Sequence, residues 1–263
     1  MMKTFTTLIM MVFSTALYAS TPDLSPYFTG KTGCFILYNL NQNALTTEYN
    51  SEQCKKQIPP QSTFKIPLSL MAFDQNLITQ DTVFKWDGED RGRTQWNHDQ
   101  TPKTWLSNSV VWVSQEITPK LGMDKIKHYL NAFKYGNEDF SGDQGKDNGL
   151  ERAWLNSSLK ISADGQLSFL KNFATRKLAV NPAAVNHTKE NMYLETSSNG
   201  WKLYGKTGSN IAPAIGWFVG FVEKSGQTYI FVTNITGQGE NAEISGIKAK
   251  EITQKILTSM GLF

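Results

Sequence analysis

A serine and a lysine in the first quarter of the chain have the spacing of a nucleophile and its base. Ser62 and Lys65 lie three positions apart in Ser62-Thr63-Phe64-Lys65, at the start of an apolar run. Residues with this spacing share one face of a helix, so a lysine amine can take the serine proton without a histidine. A helix N-terminus also favours developing negative charge. The alternative is that Ser62 only caps the helix.

A second cation lies far along the chain, in the triplet Lys206-Thr207-Gly208. Between the two motifs lie three further ones: Ser109-Val110-Val111, Tyr135-Gly136-Asn137 and Trp154-Leu155. In this order the five motifs resemble those of the class D β-lactamases, the oxacillinase family. The resemblance spans essentially the whole mature chain, and Ser109-Val110-Val111 in place of S-D-N separates it from the class A enzymes. Tyr135-Gly136-Asn137 is interpreted as structural, because glycine permits a positive φ and asparagine can tie loop backbone.

The resemblance implies a role for each residue around the nucleophile. Ser62 would attack the β-lactam carbonyl and become acylated. Lys65 would be the general base, with its amine carboxylated by carbon dioxide to N6-carboxylysine. Trp154 would donate its indole N–H to this carbamate, and Val111 and Leu155 would form an apolar lid over it.

The same resemblance implies how the substrate is held. Ser109 and Lys206 would form the proton path to the lactam nitrogen, and Ser109, Thr207 and Gly208 would bind the substrate. The backbone N–H groups of Ser62 and Ser209 would form the oxyanion hole, a device worth about 3 kcal/mol per donor.

The substrate carboxylate is the point at which the chain departs from the family pattern. Many members carry an arginine near the start of the last helix for this group, and residues 244–250 contain none. Thr207, Ser245 and Lys248 are the candidates that remain for carboxylate recognition.

Simple electrostatics agrees with a carboxylated Lys65. A lysine with the usual pKa of about 10.4 is protonated at neutral pH and is not a base. Burial among Phe64, Val111, Trp154 and Leu155 would favour the neutral amine, which can add carbon dioxide. The buried anion so formed needs donors, and the Trp154 indole N–H is one. The alternative for Trp154 and Leu155 is plain core packing.

Strands at both ends of the chain and helices between them must position these residues. We predict strands at 34–40, 45–49, 202–208, 216–223 and 229–235, and helices at 65–74, 105–118, 123–133, 163–175 and about 242–257. The simplest fold is α/β of the α+β type: a mostly antiparallel sheet flanked by terminal helices, with an inserted all-helical subdomain. The sheet subdomain would cover about 20–60 and 195–263, and the helical subdomain about 61–194. The nucleophile would lie at the seam between the two, a common place for a substrate cleft.

The first 19 of the 263 residues have the pattern of a secretory signal peptide. Lys3 precedes an apolar run at 8–13, which is too short for a comfortable membrane span. We expect cleavage after Ala19 and a single catalytic domain at 20–263, periplasmic and without membrane attachment. A net charge of +3 without a Lys/Arg run argues against nucleic acid as a partner. The expected partner is a small β-lactam, and the protein would be a monomer or a homodimer.

Two cysteines, Cys34 and Cys54, lie in the exported part. An even count in an oxidising compartment predicts a disulfide, and the hairpin predicted between them would bring its ends together. Two free buried thiols are the alternative. His98, His128 and His187 show no metal-ligand spacing, and the sequence has no Cys/His cluster, so we predict no metal site and no cofactor other than carbon dioxide on Lys65.

Two other functions share the motif set. A D-alanyl-D-alanine carboxypeptidase or another penicillin-binding protein would use Ser62, Lys65 and Lys206 but deacylate β-lactams very slowly. The sensor domain of a penicillin-responsive receptor would be acylated without turnover. Trp154 after the Y-G-N motif argues against the first, and the cleavable signal argues against the second.

Overall fold

One antiparallel sheet forms the centre of the computed structural model, which describes residues 22–237 and 243–263. The predicted signal peptide at 1–19 lies outside these residues. The sheet has the strand order β2-β1-β6-β5-β4-β3. Its strands are β1 (Thr32–Asn39), β2 (Ala44–Tyr49), β3 (Tyr193–Thr196), β4 (Lys202–Asn210), β5 (Ala214–Lys224) and β6 (Gln227–Gly237).

The helices come mainly from the middle of the chain. They are α1 (Ser51–Lys55), α2 (Lys65–Asp74), α3 (Pro102–Ser107), α4 (Val111–Leu121), α5 (Met123–Phe133), α6 (Gly149–Arg152), α7 (Ala163–Ala174), α8 (Pro182–Met192) and α9 (Gly246–Ser259). The predicted α+β class is confirmed, and α2, α5 and α7 agree with their predicted bounds to within one residue. The division into two subdomains at 60/61 and 194/195 stays a prediction.

The N- and C-terminal strands meet in the middle of the sheet. Strand β1 pairs with β6 in a register that places Phe35 opposite Thr233. The β5–β6 hairpin turns at Ser225 and Gly226, whose φ angles of +49° and +80° suit the two-residue turns that match strand twist. The predicted strands at both ends of the chain are therefore confirmed.

Alternate residues of β1 face two separate apolar clusters, as the period of two in a strand requires. Phe35 and Leu37 pack in one cluster with Ile252 and Ile256 of α9. Ile36 faces the other cluster, which the central helices build. Each large apolar side chain buried in this way contributes about 1.5–3 kcal/mol. The sheet is thus held between α9 on one face and the helical part on the other.

The single helix predicted at 105–118 is wrong, because the structure has two helices there. Helix α3 ends in a Schellman motif, in which Val110 N donates to Trp105 O (3.1 Å) and Ser109 N to Leu106 O (3.2 Å). Ser109 takes the left-handed position of this motif, with φ +57°. This position is usually glycine, so a serine there does not indicate a break in the helix. Its effect is to turn Ser109 out of the helix and towards the nucleophile.

Other differences concern helix ends and short elements. The last helix begins at Gly246, four residues later than predicted, because the Ser245 side chain caps it by accepting from Lys248 N; residue 242 lies outside the described residues. The prediction missed α1, α6, α8 and β3. For α8 a signal was present, since Asn181 caps the helix and Pro182 is its first residue.

The structure contains the predicted Cys34–Cys54 disulfide, with the two Cα atoms 5.2 Å apart. It ties strand β1 to α1, just before the segment that carries Ser62. Along the described ranges, no helix has the length and apolar content needed to cross a membrane.

Candidate active site

Ser62 lies in a 3₁₀ turn over Gln61–Phe64, directly before α2. Gln61, the residue before it, has a left-handed φ of +52°, and its backbone N–H donates to Trp154 O (3.1 Å). Helix α2 has Phe64 at its N-cap position and no side-chain cap bond. The interpretation of Ser62 as a helix cap is therefore wrong. Its hydroxyl instead accepts from the Lys65 amine at 3.4 Å.

Lys65 is completely buried, which is exceptional for a lysine. Burial first, and then the charge of Lys206, hold the pKa of the Lys65 amine well below its usual 10.5. Desolvation penalises the ammonium form because the apolar surroundings cannot replace its hydration. Burial therefore favours the neutral form of the amine next to Ser62, and this form can accept a proton or react with an electrophile.

Trp154 supplies an unused donor in the same buried region. Its ring stacks between Phe64 and Phe140, with centroids 5.6 and 5.9 Å away. Its indole Nε1 is buried and has no hydrogen-bond partner among the described residues. An unpaired buried donor is costly, so the indole is expected to have an acceptor that the protein itself does not provide.

Ser109 and Lys206 meet across the cleft. The Lys206 amine donates to Ser109 Oγ, whose position the turn between α3 and α4 fixes, and to Thr207 O at 2.8 Å. Burial lowers the pKa of Lys206 from 10.5 to about 7. This amine can therefore take up or release a proton near neutral pH, and Ser109 can carry that proton.

The second half of β4 forms a free edge beside the nucleophile. Strand β3 pairs only with residues up to Tyr204 of β4, so Lys206–Ser209 have a strand neighbour on the β5 side alone. Gly208 faces the nucleophile turn so closely that a Cβ there would lie 2.8 Å from Pro60 O and 3.3 Å from Ser62 N. Only glycine lets β4 approach the turn at residues 60–62 this closely. The close approach places Thr207 and Ser209 next to Ser62.

A cleft of about 330 Å³ joins these parts. Seven of the residues expected at the site line it: Ser62, Ser109, Val111, Leu155, Thr207, Gly208 and Ser209. The other three, Lys65, Trp154 and Lys206, are buried beneath its surface. Trp96 also lines the cleft. Sequence reasoning missed Arg93, Gln95, Ser107, Asn108 and Ile247, which come from loops and helix ends whose composition carries no signal of a site.

The Tyr135-Gly136-Asn137 motif has the structural role expected of it. Asn137 donates its side-chain N–H to Ser158 O and accepts from Lys160 N, both at 2.9 Å. Gly136 has φ +63°, and a Cβ there would overlap Lys160 O. The motif therefore fixes the loop that follows Trp154. In the described part of the chain, no three His, Cys, Asp or Glu side chains are grouped so that they could hold a metal ion.

The comparisons with known proteins agree with this geometry. Residues 29–258 match the family described as "Penicillin binding protein transpeptidase domain". The chain is 50% identical over 243 residues to "Beta-lactamase OXA-1" of Escherichia coli, covering 90% of this chain and 88% of that protein. It also superposes on the solved structure "Class D beta-lactamase BAT-2" with a TM-score of 0.84 and 32% identity, over 94% of this chain and 99% of that one. The chain belongs to the class D β-lactamases.

A receptor domain shares the fold of this family. The solved structure "C-terminal domain of the Bacillus licheniformis BlaR penicillin-receptor" has a TM-score of 0.83 and 33% identity, covering 92% of this chain and 96% of that one. Serine-dependent β-lactam hydrolysis follows from membership of the class D β-lactamases, whereas the roles of individual residues must be argued from the site.

Proposed function

We propose that the protein hydrolyses β-lactams, penicillins and oxacillin-type substrates among them, through an acyl-enzyme on Ser62 with carboxylated Lys65 as general base. This activity would confer resistance to β-lactam antibiotics. The observation that supports the base is the pairing of a buried amine at Lys65, whose pKa is held well below its usual value, with a buried indole donor at Trp154 that has no partner among the described residues.

The residues around Lys65 fit a carbamate. A neutral amine adds carbon dioxide and loses one proton, which leaves an anion with two acceptor oxygens. A buried anion needs donors, and Trp154 Nε1 is a donor that has no acceptor in the described part of the chain. When present, this group supplies a base for the serine proton and for a water molecule. Trp154 would orient it, and the half-buried Val111 and Leu155 would limit the access of bulk water.

Formation of the acyl-enzyme requires a new bond from Ser62 Oγ to the lactam carbonyl carbon. The Ser62 proton passes to the base at Lys65, which already lies within 3.4 Å of the hydroxyl. The backbone N–H groups of Ser62 and Ser209 would stabilise the oxyanion, because both residues line the cleft and the lack of a side chain at Gly208 lets the two segments approach closely.

Ring opening breaks the bond between the carbonyl carbon and the lactam nitrogen, which then needs a proton. Lys206 donates to Ser109 Oγ, and a pKa of about 7 makes Lys206 a suitable proton source at neutral pH. Ser109 lines the cleft and would pass the proton on. Thr207 and Gly208 at the edge of β4 would bind the substrate beside it.

Export to the periplasm is the setting we propose for this activity. The predicted signal peptide at 1–19 and the Cys34–Cys54 disulfide support it. N-terminal sequencing of the secreted protein would show a chain that starts after Ala19. The oligomeric state, monomer or homodimer, is open to measurement by light scattering.

The receptor fold supports a second candidate, a penicillin sensor that is acylated once and does not turn over. Counting the nitrocefin molecules consumed per protein molecule separates the two. We expect hundreds of turnovers. Consumption of a single equivalent, with a stable adduct, would identify a sensor or a penicillin-binding carboxypeptidase instead.

A further inference from the structure

An arginine that forms no ion pair with the described residues lines the cleft. Arg93 lines the cleft, and its guanidinium lies 4.8 Å from the centroid of the Trp96 ring. Its neighbour Arg91 pairs with Asp87 and Glu89, and Arg152 pairs with Asp143. No described carboxylate pairs with Arg93, and none of the described residues that line the cleft is acidic. Its five N–H donors are therefore available to an anion from outside the protein.

The Trp96 ring beneath the Arg93 guanidinium is hydrogen-bonded to the turn that carries Ser109. Trp96 Nε1 donates to Asn108 O (2.9 Å), and Trp96 O accepts from Trp112 Nε1 (3.0 Å). Asn108 directly precedes Ser109. The guanidinium therefore lies on an indole held beside the residue that we place next to the lactam nitrogen. A guanidinium stacked on an aromatic ring keeps its edge free for bidentate contact with a carboxylate.

Of the candidates named from the sequence, Thr207 lines the cleft but carries no charge, and Ser245 and Lys248 are already engaged. The Ser245 hydroxyl accepts from Lys248 N as the cap of α9. The Lys248 amine lies 3.1 Å from Glu251 and 3.9 Å from Glu243. Neither residue lines the cleft. Lys206 is buried and donates to Ser109 Oγ and Thr207 O. Among the described residues that line the cleft, Arg93 is the one cation.

The covalent structure of a β-lactam determines which of its carboxylates would lie near Arg93. In penicillins and cephalosporins the lactam nitrogen is bonded to the carbon that bears the carboxylate, whereas the acylamino group is on the carbon at the other side of the carbonyl. If Ser109 protonates the nitrogen, the carboxylate must lie at the Ser109 end of the cleft. Trp96 and Arg93 are held at that end by Asn108.

We propose that Arg93, supported by Trp96, binds the carboxylate of the β-lactam nucleus and so determines specificity for anionic substrates. This inference rests on the proposed hydrolytic function. The guanidinium is exposed and therefore screened by salt. We expect its loss to lower kcat/KM about tenfold, mainly through KM, as for a charge-assisted contact at an exposed site.

Three substrates and three variants test the proposal. The substrates are benzylpenicillin, its methyl ester, which lacks the nuclear carboxylate, and α-carboxybenzylpenicillin, which has a second carboxylate on the acyl side chain. The variants are Arg93→Gln, Arg93→Lys and the control Arg176→Gln. Arg176 is exposed, its guanidinium donates to Asn186 Oδ1, and it does not line the cleft.

We expect Arg93→Gln to raise KM for both free acids by similar factors and to leave the ester unchanged. Arg93→Lys should restore part of the loss, and Arg176→Gln should match the wild type. An equal loss on the ester would show a merely structural role and overturn the proposal. So would an unchanged KM, or a loss confined to α-carboxybenzylpenicillin, which would place Arg93 at the acyl side chain. A wild type that hydrolyses none of the three would instead refute the proposed function.

Discussion

The backbone N–H of Gln61 donates to the carbonyl oxygen of Trp154 over 3.1 Å. This bond joins the residue before the nucleophile to the residue whose buried indole has no partner. Gln61 has a left-handed backbone, which places Ser62 in the cleft while Lys65 enters the buried interior. Ser62, Lys65 and Trp154 are therefore linked through one short segment of backbone.

Replacement of Ser62 by alanine should abolish covalent labelling by penicillins and leave the fold intact. Ser62 makes no cap bond, and its recorded side-chain contact is the one from Lys65, so we expect a change in unfolding free energy within about 0.5 kcal/mol. Intact-mass analysis after exposure to benzylpenicillin gives the first readout and thermal unfolding the second. A penicilloyl adduct on Ser62→Ala would show that another residue is the nucleophile.

Trp154→Phe should weaken carboxylation of Lys65 while preserving the aromatic stack. The phenyl ring can still pack against Phe64 and Phe140, but it has no N–H to donate. A hydrogen bond to a charged group is worth about 1.5–3 kcal/mol, so the bicarbonate concentration needed for half-maximal activity should rise tenfold or more. Stopped-flow measurement should show that deacylation slows more than acylation, because hydrolysis of the acyl-enzyme depends on the base that activates water.

Trp154→Ala serves as the comparison for this prediction. It removes the same N–H and also opens the buried region to water, so its activity should respond less completely to bicarbonate. Normal turnover by Trp154→Phe without added bicarbonate would contradict a role for the indole donor.

Bicarbonate should move the acidic limb of the pH–activity profile to lower pH. The pKa of the Lys65 amine is lowered by burial and by Lys206, so the neutral amine predominates above that pKa and the ammonium below it. Only the neutral form adds carbon dioxide, and carboxylation removes it from the protonation equilibrium. More carbon dioxide therefore means that a lower pH is needed to protonate half of the sites. Profiles of kcat with and without bicarbonate test this, and an unmoved acidic limb would count against carboxylation.

Reduction of the disulfide should lower stability without altering the site directly. Cys34 and Cys54 are 20 residues apart, for which chain entropy gives about 3 kcal/mol. A variant with both cysteines replaced by serine should have an unfolding free energy lower by about that amount, measured by denaturant titration. It should retain penicillin labelling. Alkylation of denatured, unreduced wild type should find no free thiol, and labelling of both cysteines would disprove the bond.

Most of the site could be predicted from the sequence, because most of its residues lie in short motifs. The spacing of Ser62 and Lys65 and the Lys206-Thr207-Gly208 triplet indicated the chemistry, and their flanking apolar patterns indicated the elements on which they lie. The structure brings these residues into one cleft or directly beneath it. The roles of the individual residues stay predictions until they are tested by substitution.

What escaped prediction depends on backbone conformation and on loops. Ser109 in a left-handed position breaks a segment of good helical pattern, and its residue type did not show this. Arg93 reaches the cleft from a polar loop, where cation–π contact with Trp96 positions it. Contacts between residues in separate segments, such as Lys206 with Ser109, follow from the fold and not from local sequence.

The central claim is that carbon dioxide on Lys65 forms the base, and carbon-13 NMR with labelled bicarbonate tests it most directly. We predict a carbamate resonance in the wild type that is absent from Lys65→Arg and needs more bicarbonate in Trp154→Phe. The resonance should vanish at acidic pH together with activity and return with it on neutralisation. A wild type that hydrolyses β-lactams under these conditions without any carbamate resonance would contradict the account.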